Sequence, residues 1–303
     1  MNKVVVLAGG ISDEREISLL SGRYVAWALS SAGFQVSLID PGEDIANFIY
    51  ELKSAVAVFI MLHGKYGEDG RVQKFLEDSH IPFVGSNSKA SEICFDKFQY
   101  YQLLNEHGIN QPQTSMVNKE EYLAFSRIGR PYVLKPNSGG SSIDIFIVRD
   151  PARADVAQIE KAFAKYDTML AQELIVGDEL TVGIVGQNAL TPVEIIPPKG
   201  KDFDYENKYN GATQELCPPK NIPKEKQTEA QRLAEKIHNL CGCQDISRTD
   251  FILDTSGKLY VLETNTLPGM TEKSLLPLEA QVDGLTMPNL CKTLVDLALK
   301  KTV

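Results

Sequence analysis

Cysteines are few and unpaired in pattern: Cys94, Cys217, Cys241, Cys243 and Cys291 make five, an odd number with no Cys-x-x-Cys. That excludes a disulfide framework as the basis of the fold, and Cys241-Gly242-Cys243 has no second ligand pair at zinc-site spacing. Long apolar runs are missing as well. The longest, Ala55 to Leu62, is strand-sized and far short of the roughly 20 residues that a membrane helix needs. The apolar stretch Val4 to Ala8 after Met1-Asn2-Lys3 is too short for a signal peptide, so a cytoplasmic protein without a membrane partner is expected. Positive charge is in deficit: 31 Lys and Arg stand against 40 Asp and Glu, giving net charge -9 and pI ≈ 5.1. Such a balance argues against nucleic acid as the main partner. No Gly-x-Gly-x-x-Gly follows the first strand, so Gly9-Gly10 alone does not make a dinucleotide fingerprint, and no repeat or low-complexity tract occurs. What remains, 303 residues with 43% hydrophobic and 23% charged, suits two or three folded domains.

The first ninety-odd residues alternate strands and helices in the manner of a parallel α/β unit. Strands are expected at Val4 to Ala8, Phe34 to Asp40 and Ala55 to Leu62, with a helix from about Asp13 to Ser31. That helix has Ile17, Leu20, Tyr24 and Trp27/Ala28 on one side, and Ser12 is placed to cap it. Ligands of open parallel sheets sit beyond the carboxyl ends of strands, here the loops Gly9 to Glu14 and His63 to Gly70, which should be neighbours. From about Ser91 the pattern becomes a helix through Leu104, a strand Tyr132 to Lys135, a Gly/Ser-rich loop Asn137 to Ser142 and a strand Ile143 to Val148. A helix Asp155 to Tyr166 and strands Met169 to Ile175 and Leu180 to Val185 complete an α+β unit. A loop of this composition between two strands is a flap rather than a P-loop, which would open a helix. The expected division is 1–95, 96–180 and 181–303.

The richest segment for chemistry is a hairpin. Ser247 to Leu253 and Lys258 to Asn265 both alternate polar and apolar residues around the turn Asp254-Thr255-Ser256-Gly257. With those four residues as the loop, Leu253 faces Lys258, Asp250 faces Val261 and Arg248 faces Glu263. One face then presents Arg248, Asp250, Glu263 and Asn265 together. Two carboxylates and an amide so close suit a hard divalent cation, Mg²⁺ or Mn²⁺, that takes its other ligands from water and nucleotide phosphates.

Several segments in order resemble one family: Gly9-Gly10 with Ser12, Glu14, Arg15, Glu16 and Ser18; His63-Gly64 with Gly67 to Gly70; Asp96-Lys97; Lys135-Pro136 with Gly140-Ser141-Ser142. They continue with Asp204 to Tyr209, Arg248-Thr249-Asp250 and Leu262 to Thr271. Together they resemble the D-alanine:D-alanine ligases of the ATP-grasp superfamily, from Val4 to Pro277. The resemblance implies three domains, ATP held between the second and third, and two Mg²⁺ or Mn²⁺ ions on Asp250, Glu263 and Asn265. It implies phosphate contacts from Lys97, Lys135, Lys208 and the backbone of Gly140, Ser141 and Ser142, with Gln172, Glu173 and Glu179 at the adenine and ribose. Glu14 would hold the first D-alanine, supported by His63, in a triad with Ser141 and Tyr209. Arg248 and the Gly269 N–H would stabilise the oxyanion, and Ser274 and Leu275 would bind the carboxylate of the second D-alanine. The tyrosine at 209 favours D-alanine over D-lactate as second substrate, and the family pattern implies a homodimer. Two departures stand out: Gln172 replaces an acid, and Asp144 replaces a glycine.

Overall fold

Val4, Val5, Val6 and Leu7 are fully buried, as a central parallel strand covered on both faces must be. The computed structural model describes residues 2–126, 129–139, 144–198 and 213–301. Strands β1 (Lys3–Leu7), β2 (Gln35–Ile39), β3 (Ala57–Ile60) and β4 (Phe83–Val84) form a parallel sheet in the order β2-β1-β3-β4. An antiparallel sheet follows, ordered β5-β8-β6-β7, from β5 (Thr114–Val117), β6 (Tyr132–Pro136), β7 (Phe146–Val148) and β8 (Met169–Glu173). The third sheet contains β9 (Gly177–Val185), β10 (Asn188–Ala189), β11 (Val193–Ile196), β12 (Gln214–Leu216), β13 (Ile246–Asp254) and β14 (Leu259–Asn265). Its path is β12-β11-β9-β13-β14, with β10 paired to β9. The expected mixture of a parallel α/β unit and α+β units is therefore observed.

The helices used below are α1 (Arg15–Ser31), α2 (Ile49–Lys53), α3 (Arg71–Asp78), α4 (Ser88–Phe95), α5 (Lys97–Glu106), α6 (Lys119–Ser126) and α7 (Val156–Lys165). They continue with α8 (Lys224–Leu240), α9 (Leu275–Val282) and α10 (Met287–Ala298). The single helix expected from Ser91 to Leu104 is two, broken at Asp96, whose carboxylate caps α5 by accepting from Gln99 N at 2.9 Å. The last helix returns to the first sheet: Leu290, Leu294, Val295 and Ala298 share a core with Val4, Val6, Ala28 and Phe59.

Two local expectations are corrected. The buried side of α1 is Ser18, Ser21, Gly22, Val25, Ala28 and Leu29, whereas Leu20 and Trp27 are about half exposed. The reason is close approach: a Cβ at Gly22 would lie 2.3 Å from the Cβ of Ala8, so only small residues fit where the helix crosses β1. Ser12 also does not cap α1. Glu14 occupies the N-cap position without a side-chain cap bond; the Ser12 hydroxyl accepts the Glu14 N–H at 3.2 Å, just ahead of the helix, and donates to His63 O at 2.6 Å. That bond joins the two loops that the sheet topology makes neighbours.

The hairpin register differs as well. Leu253 pairs with Leu259 and Phe251 with Val261, then a bulge intervenes and Asp250 pairs with Glu263 and Arg248 with Asn265. The turn is one residue longer than expected, which in a regular ladder would set Leu262 opposite Asp250. Leu262 is accommodated as the extra residue instead, so the four polar side chains still share a face.

Candidate active site

A cleft of ≈ 1120 Å³ lies where the three sheets meet, lined by Glu14, Gly64, Lys97, Lys135, Lys165 and Glu263 among others. Of the expected site residues, Glu14, Lys97, Lys135 and Glu263 thus line one space. Gly140, Ser141, Ser142, Lys208 and Tyr209 lie outside the described residues.

The cationic wall is built by α5 and β6. Lys97 opens α5, and Asn137 after β6 ties that helix start down by accepting Lys97 N at 3.1 Å on its carbonyl and Phe98 N at 2.8 Å on Oδ1. The Lys97 ammonium donates to Gly139 O at 2.6 Å and lies 3.6 Å from Glu263 Oε2. Lys135, on β6, is 6% exposed and donates to Tyr101 OH at 3.0 Å. Burial lowers its pKa to about 8, with Glu263 acting in the opposite direction. Tyr101 in turn donates to Leu262 O at 2.5 Å. The bulge carbonyl, a group that a regular ladder would have used, is satisfied by the same tyrosine that steadies Lys135.

The acidic face lies on β13 and β14. Arg248 donates through Nε and Nη2 to the two oxygens of Asp250, both at 2.8 Å. Burial opposes the guanidinium charge, but this two-pronged contact outweighs it and the arginine pKa is raised. Thr181 Oγ1, on β9, donates to Asp250 Oδ1 at 2.5 Å. Asn265 Oδ1 accepts from Leu267 N at 2.8 Å. Among the described residues no three His, Cys, Asp or Glu side chains are grouped to hold a metal by themselves. Asp250, Glu263 and Asn265 nevertheless fit a hard cation in donor chemistry, since oxygen ligands from phosphate and water complete such sites.

On the opposite side, Glu14 is 9% exposed at the start of α1. A Cβ at Gly64 would lie 2.7 Å from its Oε2, so the glycine leaves the space in which this carboxylate sits. His63 is 5% exposed, with Nε2 3.3 Å from Ser21 Oγ and Nδ1 3.8 Å from Glu68 Oε1. Ser21 Oγ also accepts the Met270 backbone N–H at 3.3 Å. A polar chain therefore runs from Glu68 through His63 and Ser21 to the residue after Gly269. Ser274 Oγ accepts Thr271 N at 2.9 Å, closing the turn that leads from Gly269 to α9 and Leu275.

Of the residues expected at the adenine, Gln172 is 2% exposed and its amide donates to Thr114 Oγ1 at 2.7 Å, while Glu173 is exposed. Neither these nor Glu179 lines the cleft. Asp144 adopts φ 56, the left-handed conformation that a glycine takes without cost. Its carboxylate accepts from Lys165 Nζ at 3.0 Å and Tyr166 OH at 2.8 Å.

Sequence reading missed Ser21, Tyr101 and Thr181. Ser18 and Ser21 fall on the side of α1 that also carries Gly22, Val25 and Leu29, so a helical projection that scores small residues as buried finds them. Tyr101 has no local signal, because its partners Lys135 and Leu262 are distant in the chain.

Family models of the D-ala D-ala ligase N-terminus and C-terminus match residues 43–86 and 97–296. A D-alanine–D-alanine ligase of Zymomonas mobilis is 42% identical over 306 residues, covering 98% of this chain and 94% of its own. A crystal structure of D-alanine–D-alanine ligase from Bacillus anthracis superimposes with a TM-score of 0.84 at 31% identity, covering 99% of this chain and 98% of that one. A second structure of that enzyme, complexed with ATP, gives 0.85 at 29% identity and the same coverage. With both family models matched and relatives spanning nearly its whole length, the chain belongs to the D-alanine–D-alanine ligase family.

Proposed function

We propose that this protein joins two D-alanine molecules with the cleavage of ATP to ADP and phosphate, supplying D-alanyl-D-alanine for a peptidoglycan precursor. The observation that carries the reading is the meeting of Lys97, Lys135 and Glu263 in one cleft with Glu14 on its far wall. Cations for a polyphosphate and a carboxylate for an amino acid's ammonium thus share one space, as the ligase homology requires. A carboxylate is a poor acyl donor. In the first step a carboxylate oxygen of one D-alanine attacks the γ-phosphorus and ADP leaves; in the second, the amine of another attacks the acyl carbon and phosphate leaves, with the ammonium proton released. Mg²⁺ or Mn²⁺, as two ions on Asp250, Glu263 and Asn265, would neutralise phosphate charge.

The chain's own side chains supply the rest. Lys97 and Lys135 hold phosphate oxygens, and Glu14 holds the ammonium of the first D-alanine with its carboxylate pointed at the nucleotide. Arg248 and the Gly269 N–H meet the oxyanion of the second step, where preorganised donors gain most from burial. Ser274 and the Leu275 N–H receive the second D-alanine's carboxylate at the start of α9. Gly140, Ser141 and Ser142 cover the phosphates, Lys208 reaches the transferred phosphoryl, and Tyr209 joins Ser141 and Glu14. Glu179 and Glu173 or Gln172 take the ribose and base. Three domains, 1–95, 96–180 and 181–303, would close around the substrates. A cytoplasmic homodimer is the assembly proposed. Among the described residues no helix is long and apolar enough to cross a membrane.

The test is phosphate release and dipeptide formation with ATP, Mg²⁺ and D-alanine, omitting each in turn and substituting L-alanine. Strict dependence on all three is expected; phosphate release without D-alanine rejects the reading. Replacing half of the D-alanine by D-lactate at neutral pH and identifying the products distinguishes a depsipeptide ligase.

A further inference from the structure

Glu279, in the middle of α9, is fully buried, and nothing in the steps above uses it. Its Oε1 accepts the backbone N–H of Gly183 at 3.0 Å, while its Oε2 has no hydrogen-bond partner among the described residues. A Cβ at Gly183 would lie 2.3 Å from that Oε2, so the carboxyl occupies the space that any side chain at position 183 would need. Gly183 pairs directly with Arg248 across β9 and β13. Side chains of such opposite residues rise from the same face with Cβ atoms about 4.5–5.5 Å apart. The carboxyl of Glu279 is therefore placed beside the root of Arg248, and the two groups lie within electrostatic reach of each other.

A carboxyl with one oxygen unpaired is a poor choice for packing alone, since an apolar side chain at 279 and an alanine at 183 would fill the same volume without desolvating a polar atom. Burial raises the Glu279 pKa well above the ordinary carboxyl value, whereas the Gly183 N–H and the Arg248 charge act against that rise. Asp250 engages Arg248 through Nε and Nη2 only.

We propose that Glu279 is a positioning residue for Arg248, its carboxyl steadying the guanidinium from the β9 side while Asp250 grips it along β13. The inference rests on the ligase reading, in which Arg248 meets the oxyanion. Asp250 holds the guanidinium through Nε and Nη2; the Glu279 carboxyl makes no hydrogen bond to it and bears on it through space, from the β9 side, where its own position is fixed by the Gly183 N–H. Misplacement of a catalytic group by an ångström costs on the order of a hundredfold in rate, so a loss of tenfold or more is expected without it.

The test compares wild type with Glu279→Gln and with the double variant Gly183→Ala/Glu279→Ala, in which the new methyl fills the vacated space. Melting temperature, kcat, KM for ATP and for D-alanine, and crystal structures are measured. Expected are a melting temperature near wild type for the double variant, a kcat at least tenfold lower, an unchanged KM for ATP, and an Arg248 side chain displaced or in more than one conformer. Glu279→Gln should show the same kcat loss; should it fail to fold, the double variant decides. A folded variant with wild-type kcat and an unmoved Arg248 overturns the proposal, as does a lowered melting temperature accompanied by wild-type kcat. Failure of the wild type to make dipeptide would instead reject the ligase reading, and the Arg248 geometry would still judge the positioning role.

Discussion

Asp250 and Glu263 stand directly opposite each other across β13 and β14, and they do so because Leu262 is an additional residue in the ladder. Without it, the register running from Leu253 and Leu259 would set an apolar side chain against Asp250. Tyr101 then takes up the carbonyl of Leu262. The irregularity is thus tied on one side to a pair of acids and on the other to the tyrosine under Lys135.

Glu263→Gln tests the acidic face most directly. The substitution keeps the shape and removes one charge from a side chain about one-third exposed, so a melting temperature within a few degrees of wild type is expected. Turnover should fall by about a hundredfold or more, the scale of losing a key electrostatic contact, and the Mg²⁺ concentration for half-maximal rate should rise. A chelator should abolish wild-type turnover and added Mg²⁺ restore it. Unchanged metal dependence in the variant would remove Glu263 from the metal site.

Lys135 predicts a pH dependence with a definite sign. Its pKa in the folded protein is about 8 against an ordinary 10.5. Below that window the lysine is charged in both folded and unfolded chains; within it, the unfolded chain keeps a proton that the folded one has lost. Its contribution therefore makes stability rise with pH between the two values. Phosphate binding needs the charged form, so the apparent affinity for ATP should fall as pH rises through about 8. Lys135→Arg should flatten that profile. A wild-type affinity that is level from pH 7 to 9.5 rejects the assignment.

Ser21→Ala removes the hydroxyl shared by His63 and the Met270 N–H. Leaving a buried N–H without an acceptor costs about 1–3 kcal/mol, so the melting temperature should drop by several degrees. Because Met270 follows Gly269, kcat should fall as well. Loss of stability with an unchanged kcat would make the chain from Glu68 to Met270 structural only.

Asp144→Gly relieves a residue held at φ 56 and releases Lys165, which lines the cleft. Freed from its carboxylate, the ammonium is available to phosphate, so KM for ATP should fall several-fold with little change in melting temperature. An unchanged KM would show that the position does not communicate with the nucleotide.

Much of this was legible in the sequence because it is local. The β1 run Val4 to Leu7, the helix beginning at Asp155 and the alternation of Arg248 with Asp250 and of Glu263 with Asn265 are patterns within a few residues of one another. Apolar size is a poor guide to the buried side of α1. Ser18, Ser21 and Gly22 are inside for their smallness, with the Ser18 hydroxyl accepting Gly9 N and donating to Met61 O. The bulge escaped because a four-residue and a five-residue turn are equally compatible with Asp254 to Lys258, and only the ladder distinguishes them. The hydrogen bond of Gln172 escaped because Thr114, its hydroxyl partner, lies on the neighbouring strand β5.

The packing of α10 against α1, β3 and β4 carries a consequence for synthesis on the ribosome. Phe59 and Val84 emerge early, yet Leu290, Leu294 and Val295, which share their core, emerge far later. The nascent polypeptide must therefore travel through most of its translation with an oily strand surface waiting for its lid, a period in which a chaperone or a neighbouring nascent chain competes for it.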